Sequence, residues 1–271
     1  MSFDVSTPNT ARIYDYWLGG KDNFQVDREA AEAIRKSRPD VADLALENKK
    51  FLTRAVSFVA EQGVRQFLDV GSGLPTSPRR ELGATPLWLA THEAAARAQP
   101  EAAVVYVDYD PVAVLHSEAL LAAGNKRVAA VLGDMRDPSA IIAGVQGSAT
   151  GFDLAEPACL ILGCVLHFLE PSVARQTVAQ FTAAMAPGSY AIISVGYDGG
   201  RPDEGDFTNT YNAQAGPRVF RQTRDGVNAL FAGLEVLSPG IVDASTWRPD
   251  ADQSPKAGRA AMILAGVGRV G

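Results

Sequence analysis

Gln66-Phe67-Leu68-Asp69-Val70-Gly71-Ser72-Gly73-Leu74-Pro75-Thr76 is a short apolar run that carries an acid and passes at once into Gly-x-Gly. That is the form of a buried strand stopping at a tight turn, where glycine lets backbone approach a ligand closely. A second apolar run, Val104-Val105-Tyr106-Val107-Asp108, also closes on an acid. In a doubly wound α/β fold a carboxylate at that place receives the two hydroxyls of a ribose. The two strand ends together predict a nucleoside pocket. Gly-x-Gly alone is a weak sign, because any tight strand-to-helix turn can use it; Asp69 and Asp108 give it weight.

Absent residues narrow the nucleoside. A dinucleotide fingerprint needs a third glycine, where this chain has Thr76 preceded by Pro75. A P-loop lysine is missing too. Asp69, just ahead of the turn, repels phosphate and suits an ammonium group. A cationic or zwitterionic nucleoside fits better than a nucleotide, and S-adenosylmethionine is such a ligand.

With 271 residues, 46% of them apolar, the chain can bury one large α/β core, so 1–271 reads as a single domain. The net charge of −6 argues against nucleic acid or an anionic membrane as the main partner. A small-molecule substrate is expected, and a homodimer is left open. Met1 to Thr10 lacks the basic and apolar regions of a signal peptide, and the longest apolar run, Ala158 to Leu166, is too short for a membrane span. The expected location is the cytoplasm. Cys159 and Cys164 fall on opposite faces of one strand, so neither a disulfide nor a metal site is expected; both read as buried small hydrophobes.

Residues 9–24 predict a helix with a polar N-cap, ended by Gly19-Gly20 and dense in aromatics: Tyr14, Tyr16, Trp17 and Phe24. Two readings stand. The helix docks its aromatics on the core, or it forms a lid hinged at the glycines, with Lys21 and Asn23 beside an aromatic wall suited to a sulfonium. Helices follow over 27–37 and 40–62. In the latter, Leu52, Ala55, Val56 and Val59 share one face, while Lys49, Lys50 and Arg54 are expected outward as solvated charges. Residues 1–63 thus read as an N-terminal helical cap and lid, and 64–271 as the cofactor-binding core.

From Gln66 the pattern is strand, turn, helix, repeated. Residues 77–89 are irregular, a substrate loop or a tolerated insertion. Strands are expected at 103–108, 128–132, 158–164, 190–195, 234–237 and 260–267, with helices at 91–99, 111–123, 172–185 and 224–231. After the third strand, Asp134 either accepts an adenine amino group under Met135 or caps a helix. His167, just past the fourth strand, is a base, a cofactor contact or a hydrogen-bonded structural residue. Residues 196–217 read as a second loop over the site.

Several blocks carry a family likeness: Ala11-Arg12-Ile13-Tyr14-Asp15-Tyr16-Trp17-Leu18-Gly19-Gly20-Lys21-Asp22-Asn23-Phe24, the Phe67 to Thr76 segment, Val104 to Pro111, Val165-Leu166-His167-Phe168 and Trp247-Arg248-Pro249. In them the chain resembles the class I S-adenosylmethionine-dependent methyltransferases, within them a group common in actinobacteria. Two segments depart from that group. Its His-Glu helix is delayed here to His92-Glu93, and the loop after Leu169 is shorter than its acidic counterpart.

The resemblance implies a Rossmann-like α/β fold: a doubly wound, mostly parallel seven-stranded sheet with a reversed last strand and an N-terminal helical extension. By position, Asp69, Gly71, Ser72 and Gly73 would bound the methionine part of S-adenosylmethionine, Asp108 and Tyr109 its ribose, and Asp134 and Met135 its adenine. Gly163, Cys164 and His167 would floor the sulfonium. Tyr14, Lys21 and Asn23 would close over it, Lys21 meeting the carboxylate. His167 and Tyr14 are the base candidates. The alternative is a non-catalytic protein of the same fold that binds the cofactor for regulation or assembly. A nicotinamide oxidoreductase is disfavoured by Thr76 and Asp69.

Overall fold

The sheet grows from strands whose side chains alternate between two separate cores. In the computed structural model, described for residues 6–76, 86–197, 199, 204–249 and 262–271, the strands are β1 (Gln66–Val70), β2 (Ala103–Asp108), β3 (Val128–Leu132), β4 (Cys159–Gly163), β5 (Tyr190–Gly196), β6 (Leu234–Val236), β7 (Val242–Asp243) and β8 (Ile263–Val270). Their order is β3-β2-β1-β4-β5-β8-β6, with β7 also paired to β8. The strands β1 to β5 run parallel, and β8 is antiparallel to both its main neighbours. The reversed strand and the doubly wound order match expectation. The eighth strand, β7, has two residues, too few to leave a hydrophobic pattern.

Nine helices lie among the described residues: α1 (Thr10–Trp17), α2 (Gln25–Ser37), α3 (Val41–Glu61), α4 (Thr91–Ala96), α5 (Pro111–Ser117), α6 (Pro138–Gln146), α7 (Pro171–Ala183), α8 (Glu204–Gln214) and α9 (Arg224–Ala229). On one face of the sheet α3 lays Phe51, Ala55, Val56 and Val59 against Phe67, Val104, Ile161 and Ile192. On the other, Ile141 and Val145 of α6, Val178 and Phe181 of α7 and Val227 of α9 pack on Leu68, Val105, Leu160 and Ile193. Full burial of such side chains is worth about 1.5–3 kcal/mol each, so both cores hold the helices onto the sheet. The Trp247 block belongs to the first core: Trp247 is fully buried edge-on to Phe51 and Phe58, and Arg54 donates to its carbonyl at 3.0 Å and to that of Ala244 at 2.7 Å. Arg54 therefore ties down a turn, contrary to the expected solvated charge.

A third, smaller core sits off the carboxyl edge of the sheet. Ile13, Ala30, Ala31 and Ile34 from the first two helices meet Tyr211 and Ala215, with Trp17, Phe168 and Phe207 around them. This corrects the reading of 196–217 as a loop: residues 204–214 are helix. Its apolar positions, Phe207, Tyr211 and Ala215, recur every four residues, but the polar residues between them hide the stripe. Residues 77–85 of the irregular segment after the glycine turn lie outside the described residues. No helix among the described residues is long and apolar enough to cross a membrane.

Candidate functional site

The turn after β1 is tied to the end of β2. Gly71 and Ser72 both donate their amides to the Val107 carbonyl, at 2.7 and 3.1 Å. Gly71 has φ +70°, and a Cβ there would stand 2.5 Å from Val165 Cγ1, so the position excludes any side chain on both counts. At Gly73 an added Cβ would make an ordinary contact with Ala11 at 3.9 Å, so the backbone that lines the cavity there is uncrowded.

Asp108, the last residue of β2, is 5% exposed and grips this turn. Its Oδ2 accepts the Gly73 amide at 2.8 Å and its Oδ1 the Asp110 amide at 2.9 Å. Burial raises its pKa, and the two amides oppose that rise by stabilising the anion. Each oxygen retains a further lone pair. The N-terminal block reaches the same place: Asn9, which caps α1 through its Oδ1, donates from Nδ2 to Asp110 Oδ2 at 2.7 Å.

A cavity of about 520 Å³ opens from this turn along the carboxyl edge of the sheet to the third core. Its size lies in the range of small-molecule sites. Of the residues singled out in the sequence, it brings together Tyr14, Gly71, Ser72, Gly73, Asp108, Tyr109, Asp134, Met135, Gly163, Cys164 and His167. Lys21, Asn23 and Asp69 lie outside its lining.

The reasons are local. Asp69 points to the α3 side of the sheet and accepts the Thr91 hydroxyl at 2.6 Å; burial raises its pKa, against the pull of that bond and of Lys49. Asn23 is 9% exposed and donates to Asp15 Oδ2 at 2.8 Å and to the Gly20 carbonyl at 3.1 Å, so its amide braces the loop. Lys21 is exposed on the far side of that loop. Asp15, 1% exposed, is the hub: it also takes the Asp22 amide at 3.0 Å and the Thr76 hydroxyl at 2.6 Å. Gly20 packs so closely on Asp15 that a Cβ would stand 1.9 Å from Oδ1. The double glycine therefore serves contact with a buried carboxylate, where a hinge had been one of two expected readings.

Lys49, expected to face solvent, is the one lysine among the described residues that line the cavity. It precedes Leu52 by three residues and Val56 by seven, which puts it on the buried stripe of α3; that spacing was the available signal. Burial lowers its pKa, while Asp69 and Cys164 act the other way. Beside it, one polar chain joins three elements. Tyr14 donates its hydroxyl to the Ala45 carbonyl at 3.0 Å and accepts from Asn48 Nδ2 at 3.0 Å, and Asn48 Oδ1 accepts from the Ser194 hydroxyl at 2.6 Å. Ser194 in turn accepts the Cys164 amide at 3.1 Å. Burial pushes the Tyr14 phenol well above its ordinary pKa and the Cys164 thiol up to about 12, so both stay protonated. Cys164 lines the cavity with φ +56°, and only Cys159 is fully buried as expected.

His167 sits on a single 3-10 turn, stacked on Phe168 with ring centroids 4.4 Å apart. Its Nδ1 accepts the Gly196 amide at 3.4 Å, which leaves the proton of the neutral ring on Nε2. Burial pushes its pKa down to about 4. The ring is thus a neutral donor and a poor base. At the other end, Asp134 pairs with the Arg136 guanidinium, which lowers its pKa, and accepts the Arg136 amide at 2.9 Å.

Trp17, one of the aromatics noted in the sequence, lines the far part of the cavity with residues that the sequence did not single out: Arg38, Phe207, Tyr211, Arg218, Phe220, Arg221 and Gln222. Phe207 and Tyr211 fall in 196–217, read as a loop over the site with no residue named, and Arg218, Phe220, Arg221 and Gln222 follow it in a stretch that carried no pattern. No group of His, Cys, Asp and Glu among the described residues is placed to hold a metal ion.

Comparison with known proteins adds a second line of evidence. A family model described as S-adenosyl methyltransferase matches residues 1–271. A protein from Thermobifida fusca YX, named as a candidate methyltransferase, is 36% identical over 98% of this chain and 96% of its own, with TM-score 0.86. A DUF574 family protein from Streptomyces avermitilis MA-4680 is 33% identical over 99% of both chains, with TM-score 0.87. No curated protein matches the chain. A full-length family match, on a fold that opens its cavity at the glycine turn after the first strand, fixes the family: this chain belongs to the S-adenosyl methyltransferases.

Proposed function

We propose that the protein transfers a methyl group from S-adenosylmethionine to a small-molecule acceptor. The observation that carries this reading is the grip of Asp108 on the glycine turn, with a lone pair left on each oxygen for a ribose hydroxyl. The residues present fit the cofactor. The backbone at Gly73 is uncrowded, Gly133 and Met135 line the part of the cavity beyond Asp108, and Lys49, which lines the cavity, takes the place of Lys21 as partner for the carboxylate. When bound, S-adenosylmethionine supplies an activated methyl group, whose S–C bonding pair passes to sulfur as the acceptor's lone pair forms the new bond, leaving S-adenosylhomocysteine.

The protein's own contribution is alignment and exclusion of water. Orientation of this kind supplies up to about 7–11 kcal/mol in the best intramolecular cases. Tyr14, fixed by two hydrogen bonds, and the core of α1, α2 and α8 wall the cavity from solvent. Of the two base candidates, His167 is a neutral ring with its proton on Nε2, and Tyr14 is a protonated phenol that already donates to the Ala45 carbonyl. Neither serves as a base: His167 orients the acceptor through Nε2, Tyr14 offers it a lone pair, and an acceptor that enters ionised or with a free lone pair needs no base there.

Calorimetric titration with S-adenosylmethionine and S-adenosylhomocysteine tests the reading. Binding should weaken at least about tenfold, or about 1.4 kcal/mol, in Asp108→Ala and in Lys49→Met, and hold in Lys21→Ala. A folded protein that binds neither ligand sinks the proposal.

A further inference from the structure

Among the described residues, one edge of the sheet has neither a partner nor a guard. β3 ends the strand order, and its residues, Val128–Leu132, include no charge and no proline. The Arg127 carbonyl accepts the Val104 amide at 2.8 Å and the Gly133 amide donates to the Asp108 carbonyl at 2.9 Å, so the odd-numbered residues face β2. Ala130 and Leu132 turn their N–H and C=O groups the other way, where no described strand pairs with them. Natural edge strands are short, charged or broken by proline, because an open ladder templates pairing with another chain. The opposite edge follows that rule: β6 has three residues, carries Glu235, and is soon followed by Pro239.

The surface beside β3 is apolar. Of the eight large hydrophobic side chains exposed among the described residues, three are Leu115, Leu120 and Leu132. They belong to elements in contact. α5 and the π-helical turn that continues it, Glu118–Ala122, pack on β3, with Leu121 and Ala122 turned into the first core beside Val128. Alternation along the strand puts Ala130 and Leu132 on the same face as Val128, the face that this helix covers. An exposed leucine alone means little, but three beside an open strand edge mark an interaction surface.

A second copy of this chain complements that surface. Antiparallel pairing of β3 with itself, about a two-fold axis at Ala130, sets Val128 opposite Leu132 and joins the outward backbone groups of both copies. Charge selects this register. It places Lys126 of one copy, which is exposed, opposite Asp134 of the other, a carboxylate that stays partly exposed beside its own Arg136. Sliding one copy by two residues sets Lys126 against Arg136 in one direction and against Leu132 in the other. Only the register centred on Ala130 gives the lysine an acid.

We infer that the protein forms a two-fold dimer through β3, the two sheets joining edge to edge, with Leu115, Leu120 and Leu132 of each copy packed across the axis. The dimer does not depend on the proposed methyl transfer.

Sedimentation equilibrium of the whole protein, from micromolar to near-millimolar concentration, tests this. A dimer is expected. Ala130→Pro removes one outward amide, a change that an edge strand tolerates, and Leu120→Glu puts a charge on an exposed helical position. Each should weaken the dimer at least about tenfold while the circular dichroism spectrum stays that of the parent. Register is read separately. Across a hydrogen-bonded antiparallel pair the Cα atoms lie about 5.5 Å apart, within disulfide reach, so Ala130→Cys should cross-link to its own copy under oxidation. Lys126→Cys, held at opposite ends of the pairing, should not. A monomer throughout the range, a dimer that both Ala130→Pro and Leu120→Glu leave intact, or cross-linking of Lys126→Cys in place of Ala130→Cys overturns the inference.

Discussion

Two residues concentrate the physical demands of the site. Gly20 leaves no room for a methyl group beside Asp15, so Gly20→Ala must push the carboxylate that holds Asp22, Asn23 and Thr76. The expected cost is about 1–3 kcal/mol, read as a lower urea midpoint at unchanged slope. His167 gives a pH signature. Its pKa is about 4 in the folded protein against 6.5 for the ordinary ring, so between those values the unfolded chain binds more protons. Its contribution to stability is complete above pH 6.5 and is lost as the pH falls toward 4. His167→Gln, which can still accept the Gly196 amide, should flatten the stability curve across that window. A ring proton resonance that titrates near 6.5 in the folded protein would contradict this account.

At the scale of elements, α3 carries much of the site. One stripe of it buries Phe51, Ala55 and Val59 in the core while the turns before present Ala45, Asn48 and Lys49 to the cavity. Asn48 is the link between α1 and β5, and Asn48→Ala leaves both the Tyr14 phenol and the Ser194 hydroxyl short of a partner. The expected loss is about 1–3 kcal/mol in denaturant unfolding. Lys50→Met, one residue from Lys49 but outside the cavity lining and paired with Glu47 at 3.0 Å, should leave S-adenosylhomocysteine binding unchanged in the calorimetric titration. The strands β1 to β5 were legible to within a residue because buried parallel strands are continuous apolar runs. The acids at their ends were legible for the same reason, since a charge closing such a run stands out. By contrast, α8 hid its stripe among polar residues, and Lys49 looked solvated because charge outweighed its position on the helix.

The described residues form a sheet with two cores, a third, smaller one over its carboxyl edge and a fourth small cluster of Leu18, Ala45 and Trp88, and the cavity lies among them. Ligand binding there should stabilise them together. S-adenosylhomocysteine at one hundred times its dissociation constant should add about 2.7 kcal/mol to unfolding. Hydrogen exchange should slow in α1 and at the Gly71 to Gly73 turn alike, because Asn9, Asp110, Asp108 and Gly73 form one hydrogen-bonded series. Protection confined to the turn would show that the N-terminal block moves independently of the core.

The place of β8 has a consequence for synthesis. It is made after β6 and β7, yet lies between β5 and β6 and is the neighbour through which both join the sheet. As the chain leaves the ribosome, β1 to β5 can pair in turn, each with partners already made or soon to follow. The edge of β5 must wait, unpaired, until residues 263–270 emerge and insert. A nascent chain halted before that point would expose Tyr190 to Gly196, a strand of buried side chains with one side of its backbone open, the natural binding target for a chaperone.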